Sequence, residues 1–249
     1  MADPRGLLAA AEYGGQCVGI AKMSFVSAGQ WWLEGLRVDP KFQGLKIGSH
    51  LHEYIDQWWL DYGDGCARLM TSSKRVKVHH LCGRLGYEKI AEVKEYYAPA
   101  TLNDSLDSFR PVADHEAKMA FEFAFNSQTL KLTGFMDIGW QQVTPDEATL
   151  NEIVNAGHAI WWREHKGLLL TWDDNDDEGS KVLGIVLPAC KMEVLLDFLL
   201  DIRSLAATQG CKNVFWNAPI HDAVLSALKN AGFEAEWEDT VFVYQKRHP

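Results

Sequence analysis

One stretch of this 249-residue chain carries residue types and spacing that suit the binding of an anionic ligand. A strand-like apolar run, Trp31–Val38, is broken by Pro40, which lacks an amide N–H and pushes the preceding residue out of the helical region. A glycine-bearing turn, Gln43–Gly48, then leads into a helical segment, Ser49–Trp59. Because the first turn of a helix has free N–H groups and the positive end of the helix dipole, this order predicts a phosphate cradle.

The elements that precede and form this cradle are predicted from turn residues and apolar spacing. Gly6–Tyr13 and Cys17–Val26 flank a Gly14-Gly15 pair, which favours a β-hairpin because glycine accepts positive φ. Apolar residues at positions 51, 54, 55, 58 and 59 have helical spacing, and that helix is expected to end at Gly63.

A second strand and helix follow the cradle. Gly65–Thr71 has the composition of a strand, and Arg75–Leu85 that of a helix that stops at Gly86-Tyr87. A further strand is expected at Glu92–Tyr97. The cradle therefore lies within an alternating α/β unit.

The string LRVDPKFQGLKIG, residues 36–48, resembles the acyl-CoA pyrophosphate loop of the GNAT superfamily of N-acetyltransferases. Gln43 and Gly48 fit the outer positions of the family's motif, whereas Lys46 stands where the middle glycine is expected. The resemblance implies acetyl-CoA as cosubstrate, and Lys46 can replace the glycine only if it avoids positive φ. The implied binding residues are Leu36, Val38, Gln43, Gly44, Lys46, Ile47, Gly48 and Ser49.

The same resemblance implies two catalytic residues. Glu34 occupies a strand position where several relatives carry an acidic residue, and a half-buried carboxylate can accept the proton of an amine, directly or through water. The alternative is that Glu34 is an exposed strand residue or half of an ion pair. Cys82 stands where many relatives have the tyrosine that protonates the CoA thiolate, and its alternative is inert packing in the core.

The second half of the chain repeats features of the first half. Gly210–Trp216 resembles Gly65–Thr71, and the Gly232-Phe233 pair resembles Gly86-Tyr87, at nearly the same offset. The sequence therefore predicts an α/β fold of two tandem acyl-CoA N-acyltransferase-like units, with mixed central sheets flanked by helices, at residues 1–110 and 111–249.

The predicted second copy lacks the features that would hold a phosphate. Its strand, Val182–Leu187, leads to a helix, Glu193–Ala207, without an intervening glycine. Glu193 would lie in the first turn of that helix, where its charge would repel a phosphate. Only the first half is therefore expected to bind CoA.

The charge distribution and the cysteine content indicate which partners and which cellular environment to expect. Residues 1–110 carry 13 basic and 13 acidic residues, whereas residues 111–249 carry 11 and 21, so the net charge of −10 belongs to the second half. This balance argues against nucleic acid as a partner. No apolar run approaches the ~20 residues of a membrane span, and five cysteines without a C-x-x-C pair favour a reducing environment. A soluble cytoplasmic protein is expected.

No metal site is expected from the sequence. The neighbouring His79 and His80 would face different ways on a helix. The acidic segment Asp173–Gly179 lacks the glycine position of a calcium loop and reads as a hairpin tip.

Two functional hypotheses remain. The first is an N-acetyltransferase that acts on a primary amine of a small molecule, such as an amino acid; the tandem arrangement and the Glu34–Val38 string are similar to histidine N-acetyltransferase-like proteins. The second is a non-catalytic acyl-CoA-binding or assembly module. The family normally begins with a strand and one or two helices that form much of the acceptor pocket, and only five residues precede the first hairpin. These elements are expected from a later segment or from another chain, as in a homodimer, unless the sequence is truncated.

Overall fold

The computed structural model describes residues 5–102, 108–176 and 178–249 as an alternation of strands and helices. The strands are β1 (Leu7–Tyr13), β2 (Gln16–Ser27), β3 (Gln30–Val38), β4 (Cys66–Ser72), β5 (Glu88–Pro99), β6 (Phe109–Pro111), β7 (Met136–Ile138), β8 (Gln141–Val143), β9 (Ala159–Trp162), β10 (Gly167–Asn175), β11 (Lys181–Cys190), β12 (Asn213–Pro219), β13 (Glu234–Ala235) and β14 (Val241–Arg247). The helices are α1 (Ile47–Tyr62), α2 (Val76–Arg84), α3 (Ala117–Asn126), α4 (Gln128–Thr133), α5 (Glu147–Asn155), α6 (Leu195–Thr208) and α7 (Asp222–Asn230). None of these described helices is both long and apolar enough to cross a membrane.

The chain forms two compact units. Unit 1 consists of Met1–Ala91 together with Phe242–Pro249, and unit 2 consists of Glu92–Val241. The units thus divide the chain at residue 91 instead of residue 110, and the carboxyl-terminal strand belongs to unit 1. The origin of the chain from two copies, at residues 1–110 and 111–249, stays a prediction.

Unit 1 has a mixed sheet that follows the predicted order of elements. The strands β1, β2 and β3 pair in an antiparallel manner, and Gly14 and Gly15, both with positive φ, form the turn of the expected hairpin. β3 and β4 are parallel, joined through α1, and β14 lies on the other side of β4. The predicted α/β class is therefore confirmed.

The apolar face of α1 builds the core of unit 1. Leu51, Ile55 and Trp59 are buried, as their spacing predicts, and pack in one cluster with residues of β2, β3 and β4. Tyr54 is 60% exposed, so the predicted apolar face is narrower than its five positions suggested. α1 begins at Ile47, two residues earlier than predicted, and ends just before Gly63.

Unit 2 combines hydrogen-bonded strands with two clusters of packed helices. Its strands lie in the order β5, β12, β11, β10, β9 and β6, and β11 and β12 are parallel. One buried cluster contains residues of α6 and α7, and another contains residues of α3, α4 and α5. The acidic segment Asp173–Gly179 covers the last three residues of β10 and part of the connection to β11, as expected of a hairpin tip, although Asp177 lies outside the described residues.

A contact between two glycines holds the amino ends of β3 and β4 together. The Cys66 amide donates to the Gly29 carbonyl at 2.9 Å. Gly65 has a φ of +62°, and a Cβ atom there would lie 2.2 Å from the Gly29 carbonyl oxygen. Glycine at position 65 thus allows both the left-handed backbone and the close approach of the two chains.

We expect Gly65→Ala to destabilise the protein more than Gly14→Ala does. Both positions have positive φ, which costs a residue with a Cβ about 1–2 kcal/mol, but a Cβ at Gly14 would meet open space. The clash at Gly65 should lower the free energy of unfolding by about 1–3 kcal/mol more. Urea unfolding of both variants measures the difference, and equal destabilisation would contradict the tight contact.

Candidate active site

β3 and β4 are paired at one end and separate at the other. The parallel register covers only Gln30–Trp32 with Cys66–Arg68. Beyond these pairs, β3 continues to Val38 and β4 continues to Ser72. Two parallel strands that part in the middle of a sheet leave backbone groups directed into the gap, where a ligand can pair with them.

A β-bulge in β3 accompanies this separation. Lys22 pairs with Glu34 and Ile20 pairs with Arg37, so β3 has one residue more than β2 between these pairs. Gly35 lies in the extra segment with a φ of +65°. A bulge bends the strand that contains it. Gly35, a glycine inside a strand pattern, is the signal in the sequence that could have predicted this bulge.

The gap between the two strands is a cavity of about 370 Å³. His52 of α1 and Val78 of α2 lie in its wall, together with Glu34 and Leu36, two of the predicted site residues. Its lining residues are Leu33, Glu34, Gly35, Leu36, Arg37, His52, Leu69, Met70, Thr71, Arg75 and Val78. We refer to this cavity as the strand cleft.

The predicted anion cradle leads from the end of β3 into α1. Pro40–Phe42 forms a 3-10 turn capped by the Asp39 carboxylate, which accepts from the Lys41 amide at 2.9 Å. Lys46 has a φ of +60° and directly precedes α1. The condition set for Lys46, that it can replace the glycine only if it avoids positive φ, is therefore not met: the lysine adopts the left-handed conformation usual for glycine, at a cost of about 1–2 kcal/mol.

The first turn of α1 is open to a ligand. No side chain caps the amino end of this helix within the described chain, so the amides of Ile47, Gly48 and Ser49 keep their donor capacity. The Gln43 amide, in contrast, already donates to the Pro40 carbonyl at 3.4 Å. The cradle that the structure supports thus begins after Gln43.

Glu34 lies in the strand cleft but has partners on β2. Its Oε1 accepts from the Ser24 hydroxyl at 2.6 Å and from the Lys22 ammonium at 2.9 Å. The side chain of Glu34 is 32% exposed, so the carboxylate is half-buried as expected. The alternative of an ion pair, which the sequence left open, is present in the structure, and the role of Glu34 as a base stays a prediction.

Cys82 lies in the core of unit 1 instead of the strand cleft. It is fully buried in the apolar cluster with Ile55 and Trp59. Burial raises the pKa of its thiol to about 12. Neither observation favours Cys82 as the acid for a leaving thiolate, and that role stays a prediction.

A buried polar group on α1 was missed by the sequence analysis. His52 lines the strand cleft, yet neither ring nitrogen has a hydrogen-bond partner among the described residues. Asp56, one turn further along α1, accepts from the Lys246 ammonium of β14 at 2.7 Å. Burial lowers the pKa of His52 from 6.5 to about 4, with Asp56 opposing and Lys246 adding to that shift. Two polar residues within the buried face of a helix were the available signal.

Unit 2 has the same strand pattern but a closed cradle. β11 and β12 also pair over only three residues, Val182–Gly184 with Asn213–Phe215. At the end of β11, the Met192 amide donates to the Gln128 side-chain oxygen at 2.8 Å, and Glu193 lies in the same turn. A side chain of the protein itself thus engages one of the amides at this turn. That only the first half binds CoA stays a prediction.

Comparison with family models gives one match, in the first part of the chain. Residues 1–87 match the family model described as the acetyltransferase (GNAT) family. GNAT proteins take the acetyl group from acetyl-CoA. No match was found among curated proteins.

Solved structures show that the likeness of fold extends over both units. A GCN5-related N-acetyltransferase from Sphaerobacter thermophilus has a TM-score of 0.63 at 12% identity, over 94% of this chain and 78% of that one. A tandem GNAT protein from the clavulanic acid biosynthesis pathway has a TM-score of 0.61 at 12% identity, over 98% and 84%. The glucosamine N-acetyltransferase region of a fungal multi-domain β-N-acetylglucosaminidase has a TM-score of 0.67 at 14% identity, over 93% and 32%. At 12–14% identity these structures show a likeness of fold.

We expect His52 to make the protein less stable as the pH falls from 6.5 to 4. The folded protein keeps His52 neutral down to about pH 4, whereas the unfolded chain takes up a proton near pH 6.5. Between pH 7 and 4.5 the wild type should lose about 2–3 kcal/mol of unfolding free energy more than His52→Gln does. Urea unfolding at a series of pH values measures this difference.

The matched control is His80→Gln, because His80 lies exposed on α2. This variant should keep the pH dependence of the wild type. The same pH dependence in His52→Gln would show that His52 is not held neutral by burial.

Proposed function

We propose that this chain, whose first 87 residues match the GNAT acetyltransferase family, transfers the acetyl group of acetyl-CoA to a primary amine of a small molecule, such as an amino acid. Unit 1 holds the acetyl donor, and unit 2 holds none. The strand cleft and the uncapped first turn of α1 support this assignment.

One observation carries the proposal: the strand cleft and the open helix end follow one another along the chain. Gly44, Lys46 and the amides at the start of α1 suit the pyrophosphate of CoA, because they combine uncapped donors with the positive end of a helix dipole. The strand cleft suits the amide-bearing arm, which can pair with the parted backbone edges of β3 and β4. The residues present thus fit both parts of an acyl-CoA.

The choice of a small amine as acceptor is supported by the carboxylate of Glu34 and by one similar structure. Glu34 lines the strand cleft and carries a carboxylate, the group that an ammonium acceptor needs for both attraction and proton removal. The similar fungal structure is named as a glucosamine N-acetyltransferase region, so this fold accommodates a small amine in at least one relative. The carboxylate suits any primary amine, and the comparison favours a small amine over a protein side chain.

In the proposed reaction Glu34 accepts the proton that the attacking amine must lose. Its ion pair with Lys22 and the bond from Ser24 fix the carboxylate on β3. These two bonds are both made to Oε1 and tie the carboxylate to β2. A positioned carboxylate of this kind typically contributes about 10²–10⁴-fold to a rate.

A second function is favoured by the position of Cys82. In many relatives this position holds the tyrosine that protonates the leaving CoA thiolate. In this chain it is a buried cysteine, and burial raises the pKa of its thiol to about 12. A chain without that acid could bind acyl-CoA as a non-catalytic module. Thiol release from acetyl-CoA with a panel of amines separates the two functions, since a module would bind CoA and release none.

We expect Gly48→Glu to abolish most of the affinity for CoA and to leave the fold intact. A Cβ atom at position 48 would lie 3.5 Å from the Val38 side chain, which is ordinary contact, so the variant should fold. The added carboxylate would lie in the first turn of α1 and repel the pyrophosphate. Calorimetric titration with CoA measures the loss.

Gly83→Glu is the matched control. Gly83 lies on α2 without positive φ, and a Cβ there would meet open space. This variant adds the same charge to unit 1 and should bind CoA like the wild type. Equal affinities of the wild type and Gly48→Glu would rule out this loop as the CoA site.

We expect Glu34→Gln to lower kcat by about 10²–10⁴-fold and to leave CoA affinity nearly unchanged. Glutamine keeps the shape and the hydrogen-bonding reach of glutamate but cannot accept a proton. Steady-state kinetics over a pH range measures the effect, and the inflection of the wild type should be absent from the variant.

A different kinetic result would show that Glu34 binds the acceptor and does not act as a base. If Glu34 only attracts a cationic acceptor, the variant keeps its kcat and shows a raised KM for charged amines. Lys22→Met is a useful companion variant, because it removes the ion pair of Glu34 and keeps the carboxylate.

A further inference from the structure

His79 is a polar residue of α2 that the proposed reaction does not use. It is one of two neighbouring histidines on that helix, and the other, His80, is exposed. Both ring nitrogens of His79 have partners: Nε2 lies 3.1 Å from the carbonyl oxygen of Ser73, and Nδ1 lies 3.1 Å from the hydroxyl of Tyr244. The side chain thus joins two segments that are far apart in the sequence.

The two partners determine which ring nitrogen carries the proton. A carbonyl oxygen only accepts hydrogen bonds, so Nε2 of His79 donates to Ser73. In the neutral ring, Nδ1 then accepts from the Tyr244 hydroxyl. Burial raises the pKa of that hydroxyl, so the tyrosine keeps the proton that it donates. The hydrogen-bond partners therefore assign the Nε2–H tautomer to His79.

Aromatic rings of β14 hold the imidazole of His79 in place. The Tyr244 ring stacks on it, with the ring centroids 5.7 Å apart and an angle of 27° between the planes. The Phe242 ring lies beside it, with the centroids 5.1 Å apart. Tyr244 is itself buried in the core cluster of unit 1. The position of the imidazole is thus fixed by β14, which is the neighbour of β4 in the sheet.

The loop that His79 contacts forms part of the wall of the strand cleft. Ser73 lies in the connection between β4 and α2, residues 73–75. Thr71, just before this loop, and Arg75, its last residue, both line the cleft, whereas His79 is not one of the described lining residues. No side chain caps the amino end of α2 within the described chain, and the bond from His79 ties the loop to its helix. His79 therefore acts on the cleft through this loop.

We propose that His79 is a positioning residue of the candidate active site: held by β14, it fixes the loop of residues 73–75 and with it the part of the cleft wall that Thr71 and Arg75 form. This inference rests on the proposed function, since it takes the strand cleft as part of the acyl-CoA site. It also gives the carboxyl-terminal strand, which lies outside the family match over residues 1–87, a part in the site.

Nuclear magnetic resonance of the ¹⁵N-labelled chain tests the tie directly. The ring resonances of His79, assigned by their absence in His79→Phe, should show the Nε2–H tautomer. In Tyr244→Phe, which keeps the stacked ring and removes the hydroxyl, the Nδ1 resonance should move because that nitrogen loses its donor. His79→Phe should shift the backbone amides of residues 73–75, whereas His80→Phe should leave them in place. An Nδ1–H tautomer, or unmoved loop amides in His79→Phe, would overturn the inference.

Binding measurements give the consequence for the site. His79→Phe keeps an aromatic ring against β14 and loses both hydrogen bonds, so the affinity for CoA should fall by about 2- to 12-fold, the range for one lost hydrogen bond. Adenosine 3′,5′-bisphosphate lacks the amide-bearing arm of CoA, and its affinity should stay unchanged. His79→Gln keeps a donor for the Ser73 carbonyl and should recover part of the loss. An unchanged CoA affinity in His79→Phe, or an equal loss for both ligands, would contradict a positioning role.

The failure of this inference differs from the failure of the proposed function. Thiol release with an amine, together with wild-type CoA affinity in His79→Phe, overturns the inference alone. A selective loss of CoA affinity in His79→Phe, without thiol release on any amine by the wild type, supports the inference and removes the acetyltransferase. If the chain does not bind CoA, both are wrong, because the loop then has no acyl-CoA site to position.

Discussion

The separation of β3 and β4 is the constraint on which the rest of unit 1 depends. Three parallel pairs and the contact of Gly29 with Gly65 hold the strands together at one end. The bulge at Gly35 bends β3 beyond those pairs. Backbone groups that parallel strands would otherwise satisfy are left facing a cavity, which is costly unless a ligand or water pairs with them. The candidate site thus consists of backbone donors and acceptors of β3 and β4 that are not paired within the sheet.

Buried polar side chains lie both where β3 and β4 are paired, the closed end, and where they separate, the open end. At the closed end, the guanidinium of Arg68 donates to Gln30 at 2.7 Å and to Gln245 at 2.8 Å, and ties β3, β4 and β14 together. A buried cation with such partners is acceptable because its donors are satisfied. At the open end, His52 has no such partners among the described residues. The contrast separates a buried polar group whose hydrogen bonds support the sheet from one that is buried without hydrogen bonds.

The two units differ at the turn that follows the first strand of the parallel pair. Both have a parallel pair that extends over three residues only. In unit 1 no described side chain caps the following helix, whereas in unit 2 Gln128 binds the Met192 amide and Glu193 adds a negative charge. The difference lies in a few side chains at one turn, because a helix end binds anions only while its amides are open.

The sequence by itself determined the local structure and the class of the fold. Gly14-Gly15, the apolar spacing of Leu51, Ile55 and Trp59, and the glycine turn before α1 act over short distances, so pattern was sufficient to place those elements. Tertiary structure decided which side chains meet. Lys246 reaches Asp56 across 190 positions of sequence, Cys82 enters the core instead of the cleft, and Lys46 takes positive φ because the turn requires it. Such outcomes depend on long-range packing, and spacing along the chain carries no record of it.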